Sequence, residues 1–358
     1  MRNFELRSLR LLLVVPAVLC IASLGHAQSF VIDLPRASQR ASVSQRLGLT
    51  DITINYHRPL VGGRPVWGKL VPSGQVWRAG ANENTVFTVT DAVSIEGQTL
   101  PAGAYGLHMI PGENEWTIIF SKQNAAWGSF TYKEDEDALR VKVKPATSDM
   151  HDALTYDFDD PKADSAVVTM RWEKIAVPFK VSVSLADTVP AHLHQDFRGL
   201  VQYTWESYND AADYLAKNKI DLDEALKYSD TAVQQEARYE SYQTKSEVLA
   251  AMGRKDEAAK AHEQALERAN AVQLYQAARQ LQRDGKQAEA IALYRKQAKK
   301  YPDEWITHAA VGRIDSSEAN YDGALKEMKL ALDTAPEPVK PSIQGLIKRL
   351  ENKEDINK

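Results

Sequence analysis

Apolar and polar residues alternate in short runs along the first half of the chain. In the runs 51–56, 85–90 and 166–172, apolar residues recur at every second position. A two-residue period is typical of strands that place one face on a core. Glycine and proline fill the intervals between the runs, and no helical period interrupts them. The pattern predicts an all-β antiparallel sandwich over residues 28–186.

The pattern changes after a predicted interdomain linker, residues 187–205. From residue 206 to residue 352 the chain is rich in alanine, glutamate, lysine, glutamine and leucine, and glycine and proline become sparse. Matched residue types recur 34 positions apart: Ala278 and Gly312, Gly285 and Ala319, Ala290 and Ala324, Tyr294 and Met328, and Pro302 and Pro336. Small residues let two antiparallel helices approach closely, and proline ends the second helix of each pair.

This period resembles the tetratricopeptide repeat, and the resemblance covers about residues 206–336. It implies an all-α helical solenoid whose concave face is lined by the first helix of each pair and docks a protein or peptide partner. A closing helix over residues 341–352 is predicted to cover the last repeat, from an apolar stripe on one face: Ile343, Leu346, Ile347 and Leu350.

Four residues of the repeats are candidates for binding a partner. Arg279 and Arg313 occupy equivalent positions of the 34-residue register on the concave face, and Tyr275 and Arg283 lie nearby in the sequence. Two guanidinium groups beside an aromatic ring suit a carboxylate-bearing peptide. Alternatively, both arginines pair with glutamates of neighbouring helices.

The first half also resembles a known family. The motifs that carry the resemblance include Thr50–Ile54, Val66–Gly68, Val76–Arg78, Gly80–Glu83, Glu115–Phe120 and Trp172–Lys174. Together they are similar to an exported bacterial domain, domain of unknown function 2911, over about residues 36–183. The resemblance implies an extracytoplasmic β-domain and no particular activity.

The stretch QVWRAGANENT, residues 75–85, contains the candidate ligand-binding residues Trp77, Arg78, Asn82 and Glu83. A ligand site combines an apolar wall with a few placed polar groups, as this stretch does. Alternatively, Trp77 belongs to the core, Asn82 satisfies a turn, and Arg78 pairs with Glu83 to join two strands.

The histidines offer two further hypotheses. His108 lies in a predicted strand, where it serves either as a structural residue or as a general base of the β-domain site. His192 and His194 would lie on the same side of an extended segment, but a third metal ligand is missing. We therefore predict no metal site and no cofactor.

The N-terminus has the pattern of a secretory signal peptide. Arginines precede an apolar run that ends near Ala27, and we expect cleavage there, which leaves no membrane span. The single cysteine, Cys20, lies within this leader. Removal of its three arginines and one glutamate changes the formal net charge from −4 to −6, which disfavours nucleic acid as a partner. The mature protein is predicted to be periplasmic or secreted.

These observations predict an exported binding or scaffold protein. Its helical repeats dock a protein partner, and its β-domain binds an envelope ligand such as a glycan. The alternative is a hydrolase acting on an envelope polymer or glycan, with a site around Arg78, Glu83 and His108. The sequence contains no phosphate-binding glycine loop, nucleophile elbow or zinc-protease motif, so we assign no catalytic residues.

Overall fold

A computed structural model describes residues 34–358, so the predicted leader with Cys20 lies outside the described residues. The strands are β1 (Gln39–Leu47), β2 (Thr50–Arg58), β3 (Thr85–Val89), β4 (Val93–Ile95), β5 (Gln98–Leu100), β6 (Gly103–Ile110), β7 (Trp116–Ser121), β8 (Asp137–Val143), β9 (Ala146–Asp159) and β10 (Ser165–Ser182). The helices are α1 (Leu185–Asp196), α2 (Trp205–Asn218), α3 (Leu222–Gln235), α4 (Tyr239–Ala251), α5 (Lys255–Arg268), α6 (Ala271–Arg283), α7 (Gln287–Lys300), α8 (Trp305–Ser317), α9 (Tyr321–Thr334) and α10 (Lys340–Glu351).

The strands form two antiparallel sheets, as the alternating pattern predicts. The larger sheet has the order β1-β2-β3-β6-β7-β8, and the smaller one has the order β5-β4-β10-β9. In β2 the buried residues Ile52, Ile54 and Tyr56 alternate with more exposed ones, so one face of the strand lies on the core. The fold class of the first half is thus confirmed.

Aromatic rings join the two sheets. Phe87 and Phe120 of the larger sheet meet Phe179 of the smaller one, with ring centroids 6.2 and 6.0 Å from that of Phe179. Four tryptophans form a second cluster in the same core, in which Trp67 contacts the other three edge-on: Trp77, Trp116 and Trp172. Edge-to-face packing of this kind adds to the stability gained by burying the rings.

The second half is a row of helix pairs, α2/α3, α4/α5, α6/α7 and α8/α9, closed by α10. The repeat residues lie at the contacts between paired helices: Ala278, Ala290, Tyr294, Ala324 and Met328 are all fully buried. Gly285 and Ala319 both adopt positive φ at the turn that follows a first helix, which explains the small residue at that register position. The predicted tetratricopeptide-like solenoid and its closing helix are confirmed.

The segment 187–205 differs from the extended linker that the sequence predicted. It contains most of α1, which has Pro190 in its interior, followed by a short 3₁₀ turn. Buried Val189 and partly buried Leu193 and Phe197 recur at intervals of four residues and pack on α2 and α3. This apolar contact offsets the helix-breaking tendency of proline.

Helix α1 also contacts the β-domain. Leu185 lies against Gly48 in the β1–β2 turn, and His192 Nε2 lies 2.9 Å from an Asp91 carboxylate oxygen. The two halves are therefore joined by a packed helix. Among residues 34–358, no helix combines the length and apolar character needed to cross a bilayer.

Candidate functional site

A polar cleft of about 630 Å³ lies on the β-domain. Its walls come from the residues preceding β1, from β1 and β2, from the end of the loop before β3, and from the loop after β7. The polar side chains at the cleft include Arg36, Arg40, Asn55, His57, Glu83 and Asn84. Of the residues that the sequence singled out, only Glu83 lines this cleft.

The loop 79–84 is held in one conformation by its backbone. Ala79 and Asn82 both have positive φ, and a Cβ on Gly80 would lie 2.6 Å from Thr85 Oγ1. The Thr85 hydroxyl in turn donates to the Ala79 carbonyl at 3.0 Å, and the Tyr156 hydroxyl donates to the same oxygen at 2.9 Å. The loop is a rigid turn that presents Glu83 at a fixed position.

Glu83 is the acidic residue of the cleft, and it is already paired. Arg36 Nη1 donates to both of its carboxylate oxygens, at 2.7 and 2.9 Å, and His57 Nε2 lies 3.5 Å away. Burial raises the pKa of Glu83, but the hydrogen bond from Arg36 and the charges of His57 and Arg36 outweigh it and lower the pKa below its usual value. The predicted Arg78–Glu83 pair is wrong, because Arg36 takes that place.

Positive charges converge on His57. Burial lowers its pKa first; Glu83 opposes this effect, while Arg36, Arg40 and Arg78 each lower the pKa further. The buried Nδ1 of His57 has no hydrogen-bond partner among residues 34–358. The cleft is thus electropositive in a protein whose net charge is negative.

Arg78 lies half-buried beside this cleft, next to Gly128. Its Nε is buried without a hydrogen-bond partner among the described residues, and it forms no ion pair with any of them. Burial lowers the pKa of Arg78 below its usual value. A half-buried guanidinium without an acid partner is costly for a fold, and such groups are often found where an anion binds.

Trp77 and Asn82 have structural roles. Trp77 is 9% exposed, belongs to the tryptophan cluster and donates its indole N–H to the Gly80 carbonyl. Asn82 takes the left-handed turn conformation and donates to the Ser38 carbonyl at 3.4 Å. Trp77 therefore lies in the core, and Asn82 holds the chain before β1 against the loop.

His108 is buried behind the cleft. The Asn84 amide nitrogen lies 3.2 Å from its Nε2, and Ser129 Oγ lies 2.9 Å from its Nδ1. Since the Asn84 amide donates, the ring proton resides on Nδ1 and is donated to Ser129. Burial lowers the pKa of His108 to about 4, so the ring is neutral near pH 7. In this arrangement His108 ties β6 to the loop after β7.

The two histidines of α1 face different partners. His192 faces Asp91, whereas His194 Nε2 lies 3.4 Å from Glu224, so the expectation that both point to the same side of an extended segment is wrong. Within the part of the chain that the structure describes, no group of three or more histidine, cysteine or acidic side chains is arranged to hold a metal ion.

The four predicted groove residues of the repeats behave differently from one another. Arg313 and Tyr275 come together, with Arg313 Nε donating to the Tyr275 hydroxyl at 2.8 Å. Arg279 donates to Gln282 at 2.6 Å, and Arg283 hydrogen-bonds to Gln280 on its own helix. The two candidate arginines therefore donate to different side chains.

The predicted alternative for Arg279 and Arg313 is also wrong, because neither pairs with a glutamate. Sequence reasoning missed two residues that contact Arg313: the Ile356 carbonyl accepts from its guanidinium, and the Asn357 amide donates to its backbone carbonyl. An isolated isoleucine after the closing helix was the signal that could have revealed them.

Comparison with known proteins gives one family match in the first half of the chain. Residues 38–181 match the family described as "Protein of unknown function (DUF2911)". The comparison with curated proteins gave no match.

Several solved structures are similar to part of the chain. One is YrrB, "a TPR protein with an unusual peptide-binding site", at 15% identity and a TM-score of 0.28, covering 48% of this chain and 88% of that one. Another is the APC/C hetero-tetramer Cut9–Hcn1, at 11% identity and a TM-score of 0.30, covering 47% and 33%. MamA has 18% identity and a TM-score of 0.25, covering 46% and 98%.

The family match confirms the resemblance read from the motifs of the first half. The helix pairs that follow it are those of a tetratricopeptide-like region. Residues 38–181 thus match the DUF2911 family, and α1 joins this β-domain to a tetratricopeptide-like solenoid.

Proposed function

We propose that this protein is an exported two-part binding protein. Its β-domain binds an anionic envelope ligand in the cleft that Arg36 and Arg40 line and that Arg78 borders, and its helical repeats are a scaffold for a protein partner. The ligand carries a carboxylate or phosphate group, since these are the anions that guanidinium groups bind best.

One observation carries the cleft proposal: its positive charges exceed its negative charge. The carboxylate of Glu83 is paired with Arg36 and His57. The side chains of Arg40 and Arg78 form no hydrogen bond or ion pair with any residue between 34 and 358. An anion bound by Arg40 and near Arg78 would balance this excess of positive charge. Exposed Trp127, with the Arg36 guanidinium 5.6 Å from its ring centroid, borders the same region and offers an apolar wall.

Calorimetric titration of the purified chain at low ionic strength tests this proposal, with inorganic phosphate in one arm and citrate in the other. We expect the double variant Arg40→Gln/Arg78→Gln to bind the preferred anion at least about 10-fold more weakly, since a hydrogen bond from a charged donor contributes about 1.5–3 kcal/mol. Arg46→Gln is the matched control, because Arg46 lies on the same strand as Arg40 and faces Asp51. Equal affinities of the double variant and the unchanged protein would refute the anion site.

A further inference from the structure

The segment 353–358 folds back from the closing helix onto the helix pairs. Lys353 takes positive φ directly after α10, which reverses the chain direction. Ile356 then inserts into the apolar cluster of α8, α9 and α10 and is 2% exposed. The segment therefore lies on the surface where the sequence predicted a peptide-binding face.

Side chains of α8 hold the backbone of this segment. Arg313 Nη1 donates to the Ile356 carbonyl at 2.8 Å, and the Ile356 N–H donates to Ser316 Oγ at 3.0 Å. Arg349 of α10 donates to the Asp355 carbonyl at 2.8 Å. Both backbone groups of the buried residue are thus bound by side chains, which is how a groove holds a short peptide of any origin.

The side chains of Asp355 and Asn357 are also recognised. Ser316 Oγ donates to the Asp355 carboxylate at 3.1 Å. Asn357 donates its amide to the Arg313 carbonyl at 2.9 Å and accepts from Gln282 Nε2 of α6 at 2.6 Å. The groove between α6 and α8 therefore binds an acidic residue, a β-branched apolar residue and a carboxamide residue, in that order.

Gln282 is positioned by two further donors. The Tyr294 hydroxyl donates to Gln282 Oε1 at 2.9 Å, and Arg279 Nη1 donates to the same oxygen at 2.6 Å. Its amide group is thereby fixed with the nitrogen toward Asn357. The carboxamide subsite is consequently built by α6 and α7 and does not depend on the segment itself.

The hold on the segment has two weak points. Ile356 is its only buried side chain, so the apolar contribution is that of one residue. Arg313 is 3% exposed and has no carboxylate partner within residues 34–358, and a buried cation gains more from a carboxylate than from the carbonyl it contacts. A ligand that supplies better contacts to Arg313 can therefore displace the segment.

We propose that the α6–α8 groove is a peptide-binding site occupied by the chain's own segment 353–358, and that a protein partner docks by presenting an acidic–β-branched–carboxamide segment in its place. This inference rests on the proposed role of the helical repeats as a scaffold, and it names the partner's chemistry. The tethered segment competes at an effective concentration on the order of millimolar, so it sets a threshold that a partner must exceed.

Fluorescence anisotropy with a labelled peptide of the sequence KEDINK, residues 353–358, tests the inference. We expect the double variant Ile356→Asp/Asn357→Ala, whose own segment is released, to bind this peptide at least about 10-fold more tightly than the unchanged chain. In that background, Gln282→Ala should weaken peptide binding, and a peptide with aspartate in place of its isoleucine should not bind. Circular dichroism reports whether the helices persist; if the double variant loses them, Asn357→Ala alone provides the same comparison.

Two results would overturn the inference: equal peptide affinity of the variant and unchanged chains, or no binding to either. The outcome is independent of the anion titration at the β-domain. Peptide binding together with failed anion binding would refute the proposed cleft and leave the groove, whereas the reverse result would refute the groove alone.

Discussion

His108 is a titratable residue buried in the β-domain behind the cleft, and it is 3% exposed. Its folded-state pKa of about 4 lies below the ordinary value of 6.5, so between these pH values the unfolded chain takes up a proton that the folded chain does not. Above pH 6.5 the ring is neutral in both states and does not change the stability, whereas the free energy of unfolding falls by about 3 kcal/mol as the pH drops from 6.5 to about 4.

NMR of the protein with ¹⁵N-labelled histidine measures this directly. We expect the His108 signals to remain those of a neutral ring at pH 5.5, with the proton on Nδ1. Titration of His108 near pH 6.5 would contradict the buried arrangement with Asn84 and Ser129.

Substitutions of two tryptophans test which of them belongs to the core and which lies on the surface. Trp77→Ala removes a ring from the middle of the tryptophan cluster, and we expect thermal unfolding to show a loss of about 3–5 kcal/mol. Trp127→Ala is the matched control, because Trp127 is 54% exposed and its loss should cost less than about 1 kcal/mol. Similar losses for both variants would show that the core assignment is wrong.

The contact between Glu83 and Arg36 could not be predicted from the local sequence. The motif around residue 83 marked a rigid polar turn, and the structure confirms the turn. The partner of Glu83 was missed because Arg36 is 47 positions away and is brought to Glu83 by the pairing of β1 with β2 and β2 with β3. Contacts that depend on strand order carry no local signal.

At the scale of elements, α10 offers a test of how the closing helix is stabilised. Gly345 lies on its exposed side, where an added Cβ would meet no heavy atom within 4 Å. We expect Gly345→Ala to raise the free energy of unfolding of the helical half by about 0.5–1 kcal/mol through helix propensity.

Gly312→Ala in α8 is the contrasting variant. A Cβ there would lie 3.0 Å from Met328 Cγ and 3.3 Å from the Ala324 carbonyl oxygen, so crowding cancels the gain in propensity. Chemical denaturation followed by far-ultraviolet circular dichroism compares the two variants. Equal stabilisation by both would contradict the close approach of α8 to α9.

Elements were predictable where a period was long and regular. The 34-residue repeat identified α6 to α9, and the apolar stripe at 343–350 identified α10. Helix α1 was missed because Pro190 argued against a helix, although Val189, Leu193 and Phe197 recur at a helical spacing. The helical conformation of this segment is stabilised by packing against α2 and α3. A local sequence pattern does not reveal such packing partners.

Helix α1 joins the β-domain to the helical half of the molecule. The β-domain has an electropositive cleft, and the helical half has a groove that its own segment 353–358 occupies. Composition and periodicity predicted both halves. Composition and periodicity did not predict the occupied groove, because it depends on how the segment 353–358 folds back onto α6 and α8.

We propose that an oxyanion binds in the β-domain cleft near Arg40, His57 and Arg78, and anomalous diffraction from crystals grown with selenate tests this proposal. Selenate mimics the oxyanion, and its selenium atom gives a signal that identifies its position without ambiguity. We predict an anomalous peak within hydrogen-bonding reach of the Arg40 and Arg78 guanidinium groups, and its loss in the Arg40→Gln/Arg78→Gln variant. An empty cleft in crystals that hold selenate elsewhere would contradict the account.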